Sequence, residues 1–378
     1  MCGRARWVAL AAATLAGLAG AETAPAGTNT VRDGNDRPGR LDIRAVSQGH
    51  AGSRVTHTIR TFGRWPTALL GPSTPNYFLL EISTDSDRAP ERLVLIISTP
   101  GRLVAGVFNP RGRLLGRARA SRPNSRAARV SIRRSLLGNP AGYRWQAFAF
   151  YRGSSTCGRG CRDRAPNRAR VLHDLRAPRI SFPQPGVPQN GSYDIGFSIS
   201  DLGGSGTRWR IQNRPFGTAT WTTVERGANR GPQIYSHNAG EGQDDQFRVL
   251  ASDLHGNTTT SPVRTVSLPH DDTSFTYGGT WTTLTPGDAC FMTLHESTEV
   301  GATATYTITG RYAALVAPGG GGTAQVAIDG GSPVAVDLSA FSGPRRVVFE
   351  ATFSTAVPRT VVVTVSSGTV GVDGIIVR

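Results

Sequence analysis

Short apolar stretches alternate with turn-forming residues along almost the whole chain after residue 39. Segments such as "YFLLEIST", "YRWQAFAFY", "TATYTITG" and "RTVVVTVSS" are rich in β-branched or aromatic residues and are separated by Gly, Pro, Asn and Asp. In the clearest of them the apolar residues repeat every second position, which places them on one face of a strand. The pattern predicts an all-β protein built from antiparallel sandwiches.

Breaks rich in proline or polar residues divide these strands into three tandem series. We expect a first sandwich over residues 39–176, a second over 177–268 and a third over 271–378. The break "DLRAPRI" separates the first two. Residues 22–38, rich in Gly, Thr, Asn and Asp, are expected to form a flexible leader.

The first 21 residues have the pattern of a cleaved signal peptide. Arg4 and Arg6 precede an apolar stretch, and Ala19-Gly20-Ala21 matches an A-x-A cleavage site. No later run of twenty apolar residues follows, so we expect no membrane span and a secreted protein that is extracellular or associated with the cell surface.

Export would also place the cysteines in an oxidising compartment. Cys157 and Cys161 in "CGRGC" could then form a disulfide that closes a small loop. A metal site at this pair would need two further ligands that are not nearby in the sequence. Cys290 is left single and is expected to be a buried thiol.

Positive charge is concentrated in the first module. All 42 basic residues are Arg, and residues 22–176 hold 27 Arg against 10 acidic residues. Residues 101–150 alone contain eleven Arg and no Asp or Glu. Such a surface would attract an acidic polymer. A GC-rich genome is the simpler account of the excess, and it would leave these Arg as ordinary solvated side chains.

The segment "FRVLASDLHGN" brings Ser252, Asp253 and His255 close together, as a hydrolase site would. Phe247, Val249 and Ala251 alternate before them, however, which predicts a strand that ends near Ser252. We expect Asp253 to accept hydrogen bonds from backbone amides of the following turn. A nucleophile held on a constrained turn is not evident, so we assign no catalytic residue here.

The first two modules resemble known sandwich families. The motifs "DLGGSGTRWRIQ", "WTTV" and "FRVLASDLHGN" of the second module resemble bacterial immunoglobulin-like and fibronectin type III-like domains, which often act as spacers. The first module, through "LDIRAV", "YFLLEISTDSDR" and "VLHDL", resembles DOMON-like and family-nine carbohydrate-binding sandwiches. That resemblance implies a calcium site, or a sugar or haem ligand. Asp85 and Asp87 could hold calcium, or they could belong to a polar hairpin turn.

The third module resembles jelly-roll carbohydrate-binding modules. The segments "FTYGGTWTTL", "GATATYTITGRYAALV", "AQVAIDGG" and "VDGIIV" carry this resemblance. It implies that exposed aromatic side chains stack on sugar rings, and Trp281, Tyr277 and Tyr312 are the candidates. Asp373 could hold a structural calcium or turn the chain.

Together these observations predict a secreted, non-catalytic protein that binds a polysaccharide or cell-wall glycan through its third sandwich. One alternative is an accessory part of a polysaccharide-degrading glycosidase, which would need paired carboxylates. The adjacent acids Asp244-Asp245 and Asp271-Asp272 are predicted to lie in loops or linkers. Another alternative is an adhesion or protein-docking protein whose basic first domain binds an acidic polymer. The oligomeric state is left open.

Overall fold

The computed structural model describes residues 26–71, 76–85, 89–152, 160–201 and 206–378. The predicted signal peptide, Asp87 and Cys157 lie outside these residues. The regular secondary structure of the described part is antiparallel β, with short 3-10 turns as its only helical elements, so the predicted all-β sandwich class is confirmed. These turns are Thr67–Leu70, Arg134–Leu137, Asp272–Ser274, Cys290–Met292 and Leu338–Ala340. None of the described helices is both long and apolar enough to cross a bilayer.

The chain divides into two compact units, residues 1–140 with 145–171, and residues 141–144 with 172–378. The domain boundaries expected near residues 176 and 268 stay predictions. The strands up to residue 174 are β1 Ala26–Arg32, β2 Ile43–Ala51, β3 Arg54–Thr61, β4 Tyr77–Ser83, β5 Arg92–Thr99, β6 Arg102–Phe108, β7 Leu114–Asn124, β8 Ala127–Arg133, β9 Gly142–Tyr151, β10 Cys161–Ala165 and β11 Val171–Asp174.

These strands form one sheet in the order β1-β2-β3-β8-β7-β6-β5-β4-β9-β10, with β11 beside β9. Strand β7 pairs with β6 through its first half and with β8 through its second half, which joins the two halves of the sheet. The Ile43 amide in β2 donates to the Asp163 carboxylate in β10. The bond brings β10, at one edge of the sheet, beside β2, the strand next to the other edge, so the sheet curls around its own core.

Strand β1 corrects one expectation. Residues 26–32 were expected to belong to a flexible leader, but they pair with β2 from Ala26↔His50 to Arg32↔Ala45. An edge strand needs no apolar face, because backbone hydrogen bonds to one neighbour hold it in place. The mostly polar sequence "AGTNTVR" therefore forms a strand that the hydrophobic pattern did not predict.

The second unit contains two further sets of sheets. Its strands are β12 Arg179–Ser181, β13 Ser192–Ser200, β14 Arg208–Pro215, β15 Thr222–Gly227, β16 Gly231–Asn238, β17 Asp244–Ser252, β18 Thr258–Thr260, β19 Arg264–Ser267, β20 His270–Asp271, β21 Thr276–Gly278, β22 Thr282–Leu284, β23 Leu294–Ser297, β24 Thr303–Ala317, β25 Thr323–Ile328, β26 Val334–Asp337, β27 Arg346–Ser367, β28 Val370–Val372 and β29 Gly374–Val377.

In the first set, the sheet β12-β13-β16 faces the sheet β15-β14-β17-β18, to which β19 adds through β17. Alternate residues of β13 and β17 fill the space between the two sheets together with Trp209. In the second set, the seven-stranded sheet β20-β29-β24-β27-β25-β26, with β21 beside β24, faces the short sheet β22-β23-β28. The long hairpin of β24 and β27 supplies much of that core.

Candidate ligand-binding and metal-binding sites

Three ring side chains of the C-terminal sandwich form a group that we call the aromatic cluster: Tyr277, Trp281 and His295. Tyr277 lies in β21, Trp281 in the turn before β22, and His295 in β23. The Tyr277 ring stacks on the His295 ring, with centroids 4.2 Å apart and an interplanar angle of 18°. The Trp281 ring lies 5.0 Å from the Tyr277 ring at an angle of 50°. The structure thus brings two of the three predicted sugar-binding residues together.

His295 is held in place by hydrogen bonds at both ring nitrogens. Its Nδ1 lies 2.5 Å from Oδ2 of Asp272, and its Nε2 lies 2.9 Å from Oγ1 of Thr283. Asp272 is completely buried and also accepts a hydrogen bond from Oγ1 of Thr293 at 2.6 Å. Burial raises the pKa of the Asp272 carboxyl, while its bonds to Thr293 and His295 lower it. This network fixes the imidazole that supports Tyr277.

Trp281 is the member of the aromatic cluster that can offer its ring to a ligand. It is partly exposed, and its Nε1 donates to the Gly278 carbonyl at 3.2 Å. The exposed hydroxyls of Thr280, Thr282 and Thr283 lie beside it in sequence. Tyr277, by contrast, has one ring face covered by His295, and its hydroxyl donates to the Asp272 carbonyl at 2.8 Å. Tyr277 therefore positions Trp281.

Tyr312 lies elsewhere in the same sandwich. In β24 it packs with Ala314 against a small apolar cluster, whereas Ala313 and Leu315 point into the main core on the opposite face. The Arg378 guanidinium lies 4.1 Å from its ring centroid, and its hydroxyl donates to Oε2 of Glu350 at 3.0 Å. Tyr312 is thus on a different face from Trp281, and its predicted role in sugar binding stays a prediction.

Four aspartates of the first unit form a carboxylate cluster: Asp33, Asp36, Asp42 and Asp163. Carboxylate oxygens of Asp33, Asp36 and Asp163 all lie within 4.8 Å of one another. Asp163 is fixed by the backbone N–H groups of Ile43 and Arg164, each at 2.6 Å. The side-chain amide of Asn167 donates to Asp33 at 2.7 Å and to Asp36 at 3.2 Å.

Asp42 is the most exceptional member of this carboxylate cluster. It is completely buried, and its contacts with the Arg37 backbone amide and the Asp163 carboxyl do not reach good hydrogen-bond geometry. Burial, then the charges of Asp163 and Asp36, raise the pKa of Asp42 to about 7. Burial and the charge of Asp163 raise the pKa of Asp33 to about 6. The buried carboxylates of Asp42 and Asp163, the half-buried one of Asp33 and the exposed one of Asp36 offer oxygen ligands of the kind that a hard cation such as Ca²⁺ prefers.

The metal ligands predicted from sequence lie apart from this cluster. Asp85 is exposed, and its carboxylate accepts a long hydrogen bond from the Ser83 hydroxyl at 3.5 Å, while Asp87 lies outside the described residues. Asp373 is buried and accepts a hydrogen bond from the Cys290 backbone at 2.8 Å. Burial raises the pKa of Asp373 to about 6. These three assignments stay predictions.

The predicted cysteine pairing also stays a prediction, since Cys157 lies outside the described residues. Cys290 is a free thiol with no exposed surface, as expected for the single cysteine. Its Sγ lies 3.7 Å from the Pro188 carbonyl, and burial raises its pKa. The thiol therefore packs as part of the core.

The segment "FRVLASDLHGN" forms a strand end and a turn. Strand β17 buries Phe247, Val249 and Ala251. Oδ1 of Asp253 accepts hydrogen bonds from the backbone amides of His255 at 2.9 Å and Asn257 at 2.8 Å. The carboxylate of Asp253 thus organises the turn.

The paired acids of the second unit lie differently from the prediction. Asp244 and Asp245 are not in a loop: they begin β17, where neighbouring side chains point to opposite faces. Asp245 is buried and lies 3.0 Å from Nε2 of His237. Asp271 ends β20, and Asp272 begins the 3-10 turn that leads to the aromatic cluster.

Sequence reasoning missed the carboxylate cluster and the Asp272–His295–Thr283 network. A signal for the cluster exists, because three Asp occur within the ten residues 33–42. Asp163, however, follows 120 residues after Ile43. Only the meeting of β2 with β10 brings these groups together.

No family model and no curated protein matches the chain. Among solved structures, the exo-β-1,3-galactanase of Phanerochaete chrysosporium matches with 11% identity over 93% of this chain and 99% of that chain, at a TM-score of 0.26. The FN1–FN3 domains of chicken CNTN1 match with 11% identity over 94% and 98%, at a TM-score of 0.26. The α-xylosidase of Xanthomonas citri matches with 8% identity over 92% and 35%, at a TM-score of 0.15.

TM-scores this low assign neither a fold family nor an activity to the chain. Two of the three structures are nevertheless glycan-cleaving enzymes by name, a galactanase and a xylosidase. The expectation that the protein is not an enzyme is therefore corrected. The family resemblances of the three modules stay predictions.

Proposed function

We propose that the protein binds an extracellular or cell-surface glycan through the aromatic cluster of its C-terminal sandwich. The observation that supports this most directly is Trp281, whose partly exposed ring is backed by Tyr277 and His295 and is flanked by exposed hydroxyls. The immunoglobulin-like strands β12–β19 serve as a spacer in this proposal.

The chemistry of such a site follows from its parts. An aromatic ring that is already packed against other rings loses little conformational freedom when a flat apolar ligand face stacks on it. The C–H face of a pyranose is such a surface. Threonine hydroxyls beside the ring can exchange hydrogen bonds with sugar hydroxyls. His295, held between Asp272 and Thr283, keeps the platform rigid.

The test compares the full chain with its Trp281→Ala and Trp281→Phe variants on insoluble and soluble polysaccharides. We expect Trp281→Ala to weaken binding by about 10-fold or more, since a tenfold loss corresponds to about 1.4 kcal/mol and one aromatic contact contributes a comparable amount. Trp281→Phe should retain part of the affinity.

The control is Trp221→Ala in the middle sandwich, where Trp221 lies between the guanidinium groups of Arg214 and Arg248. It should bind as the wild type does. Binding that is unchanged in Trp281→Ala, or no binding to any polysaccharide tested, would contradict the proposal.

We also propose that the carboxylate cluster of the first unit holds a structural Ca²⁺. The support is the Asp42 carboxylate, which is buried beside Asp163 and whose contacts with the Arg37 backbone amide and the Asp163 carboxyl fall short of good hydrogen-bond geometry. Burying an ionised carboxylate costs several kcal/mol unless a counter-charge lies next to it. A divalent cation bound by these four aspartates would supply that charge, with Asn167 holding Asp33 and Asp36 in place.

A further inference from the structure

We propose that the outer face of the curled sheet in the first unit binds an anionic polysaccharide. A groove of about 1010 Å³, which we call the arginine groove, runs over strands β3, β5, β6, β7 and β8. Five arginines line it: Arg54, Arg102, Arg117, Arg119 and Arg129. Its other lining residues include the apolar side chains of Leu95, Ile97, Val104, Phe108 and Leu114.

The strand register explains why these arginines converge. In β7, Arg117 and Arg119 are two residues apart and therefore point to the same side of the sheet. Arg117 pairs with Gly106 of β6, and Arg119 pairs with Ser131 of β8. A Cβ at Gly106 would lie 2.7 Å from the Phe108 ring, so the glycine leaves room for that ring in the floor of the groove.

The positive charge of the groove is not neutralised within the described part of the chain. No Asp or Glu lines the groove, and no described carboxylate forms an ion pair with any of the five arginines. Arg54 instead donates to the hydroxyl and carbonyl of Ser131 at 2.8 and 2.6 Å. Burial, then the charges of Arg119 and Arg133, lower the pKa of Arg54. An anion bound here would relieve this repulsion, and guanidinium groups bind carboxylates and sulfates in a two-pronged geometry.

The apolar floor narrows the class of ligand. Leu114 is 51% exposed, and the partly buried Leu95, Ile97 and Val104 extend this apolar surface across β5 and β6. Apolar surface next to charged groups suits a ligand that has both apolar and charged faces. A uronic-acid polymer presents apolar C–H faces and regularly spaced carboxylates on the same chain. Single-stranded nucleic acids are bound by series of stacking aromatic side chains, whereas Phe108 is the only aromatic residue among those lining the groove.

The experiment measures binding of polygalacturonate to the full chain by affinity electrophoresis at low and moderate salt. The double variant Arg117→Gln and Arg119→Gln should bind at least about 10-fold more weakly, because each charge-assisted hydrogen bond contributes about 1.5–3 kcal/mol. The affinity of this double variant should also fall less steeply as the salt concentration rises. Leu114→Ser should weaken binding while leaving the salt dependence unchanged.

The matched control is Arg144→Gln with Arg168→Gln, which removes the same two charges from exposed positions outside the groove. It should retain the wild-type affinity within about twofold, because its charges make no direct contact with the ligand and are screened by salt. If both double variants bound equally weakly, the lower net charge alone would explain the loss of affinity, and the proposal would be overturned. Tighter binding of a single-stranded DNA oligonucleotide than of polygalacturonate would overturn it as well.

This inference is independent of the glycan site at Trp281. The Trp281→Ala variant should bind polygalacturonate as the wild type does. A loss in that variant, with the groove variants unaffected, would assign the anionic polymer to the aromatic cluster instead. Thermal unfolding of each variant checks that the exposed substitutions leave the fold intact.

Discussion

The Asp42 carboxylate is buried beside Asp163, and this arrangement should lower the stability of the fold when no cation is bound. We expect Asp42→Asn to raise the thermal unfolding midpoint in chelator at pH 8. The substitution removes an uncompensated buried charge, while the shape of the side chain stays almost the same. Added Ca²⁺ should raise the midpoint of the wild type and have little effect on the variant. Differential scanning calorimetry with and without Ca²⁺ measures both effects.

The control for this prediction is Asp288→Asn, since Asp288 is an exposed carboxylate of the second unit. It should show the full wild-type response to Ca²⁺. An equal Ca²⁺ response in Asp42→Asn and in the wild type would exclude the carboxylate cluster as the cation site.

Single residues were predictable from sequence where their partners are close along the chain. Tyr277 and Trp281 are four positions apart, so the local sequence alone placed them close together, and the structure agrees. Asp272 and His295 are separated by two short strands, and Asp42 and Asp163 by most of the first unit. No local pattern encodes such pairings, because they depend on which strand edges meet.

The turn after β17 is the element in which a carboxylate was foreseen correctly. Replacing Asp253 by Ala would leave the amides of His255 and Asn257 without their acceptor, together with the Asn257 side chain that donates to Oδ2 at 2.6 Å. We expect a loss of at least about 2 kcal/mol in unfolding free energy, since each buried unsatisfied donor costs about 1–3 kcal/mol. Urea unfolding followed by tryptophan fluorescence measures this loss, because Trp209 packs beside β17.

Ser252→Ala is the matched control in the same segment. Ser252 is only partly buried at the end of β17, and its loss should cost less than about 0.5 kcal/mol. If Asp253→Ala proved as mild as Ser252→Ala, the carboxylate would not be what holds the turn.

Strands were predictable where one face is buried and the other is at least partly exposed to solvent. Strand β17 shows this regular alternation of buried and partly buried residues, and its apolar positions could be read directly. Strand β1 carries no apolar alternation, since it is an edge strand held by its pairing with β2. Asp244 and Asp245 seemed to belong to a loop because charged residues are rare in strands. The partner of Asp244, Arg378, is distant in sequence, whereas His237, the partner of Asp245, lies only eight residues before it in β16.

At the scale of the whole molecule, proton binding and Ca²⁺ binding should oppose each other. Without cation, the folded-state pKa values of Asp42 and Asp33 are about 7 and about 6, against an ordinary value of 3.8. The folded chain therefore holds protons between about pH 4 and 7 that the unfolded chain has released. The stability contributed by these neutral carboxyls falls as the pH rises through that window.

The stability gained from Ca²⁺ should consequently be larger at pH 8 than at pH 5, because at pH 5 the ion must displace protons from Asp42 and Asp33. Burial lowers the pKa of His57 to about 3, against an ordinary value of 6.5. The unfolded chain therefore binds a proton between about pH 3 and 6.5 that the folded chain does not, so the contribution of His57 to stability rises with pH. His57 is present with and without Ca²⁺, so the difference between the two unfolding midpoints removes its contribution. Calorimetric scans at pH 5 and pH 8, each with chelator and with Ca²⁺, measure that difference. A Ca²⁺ shift as large at pH 5 as at pH 8 would show that the ion binds to groups other than these raised-pKa carboxyls.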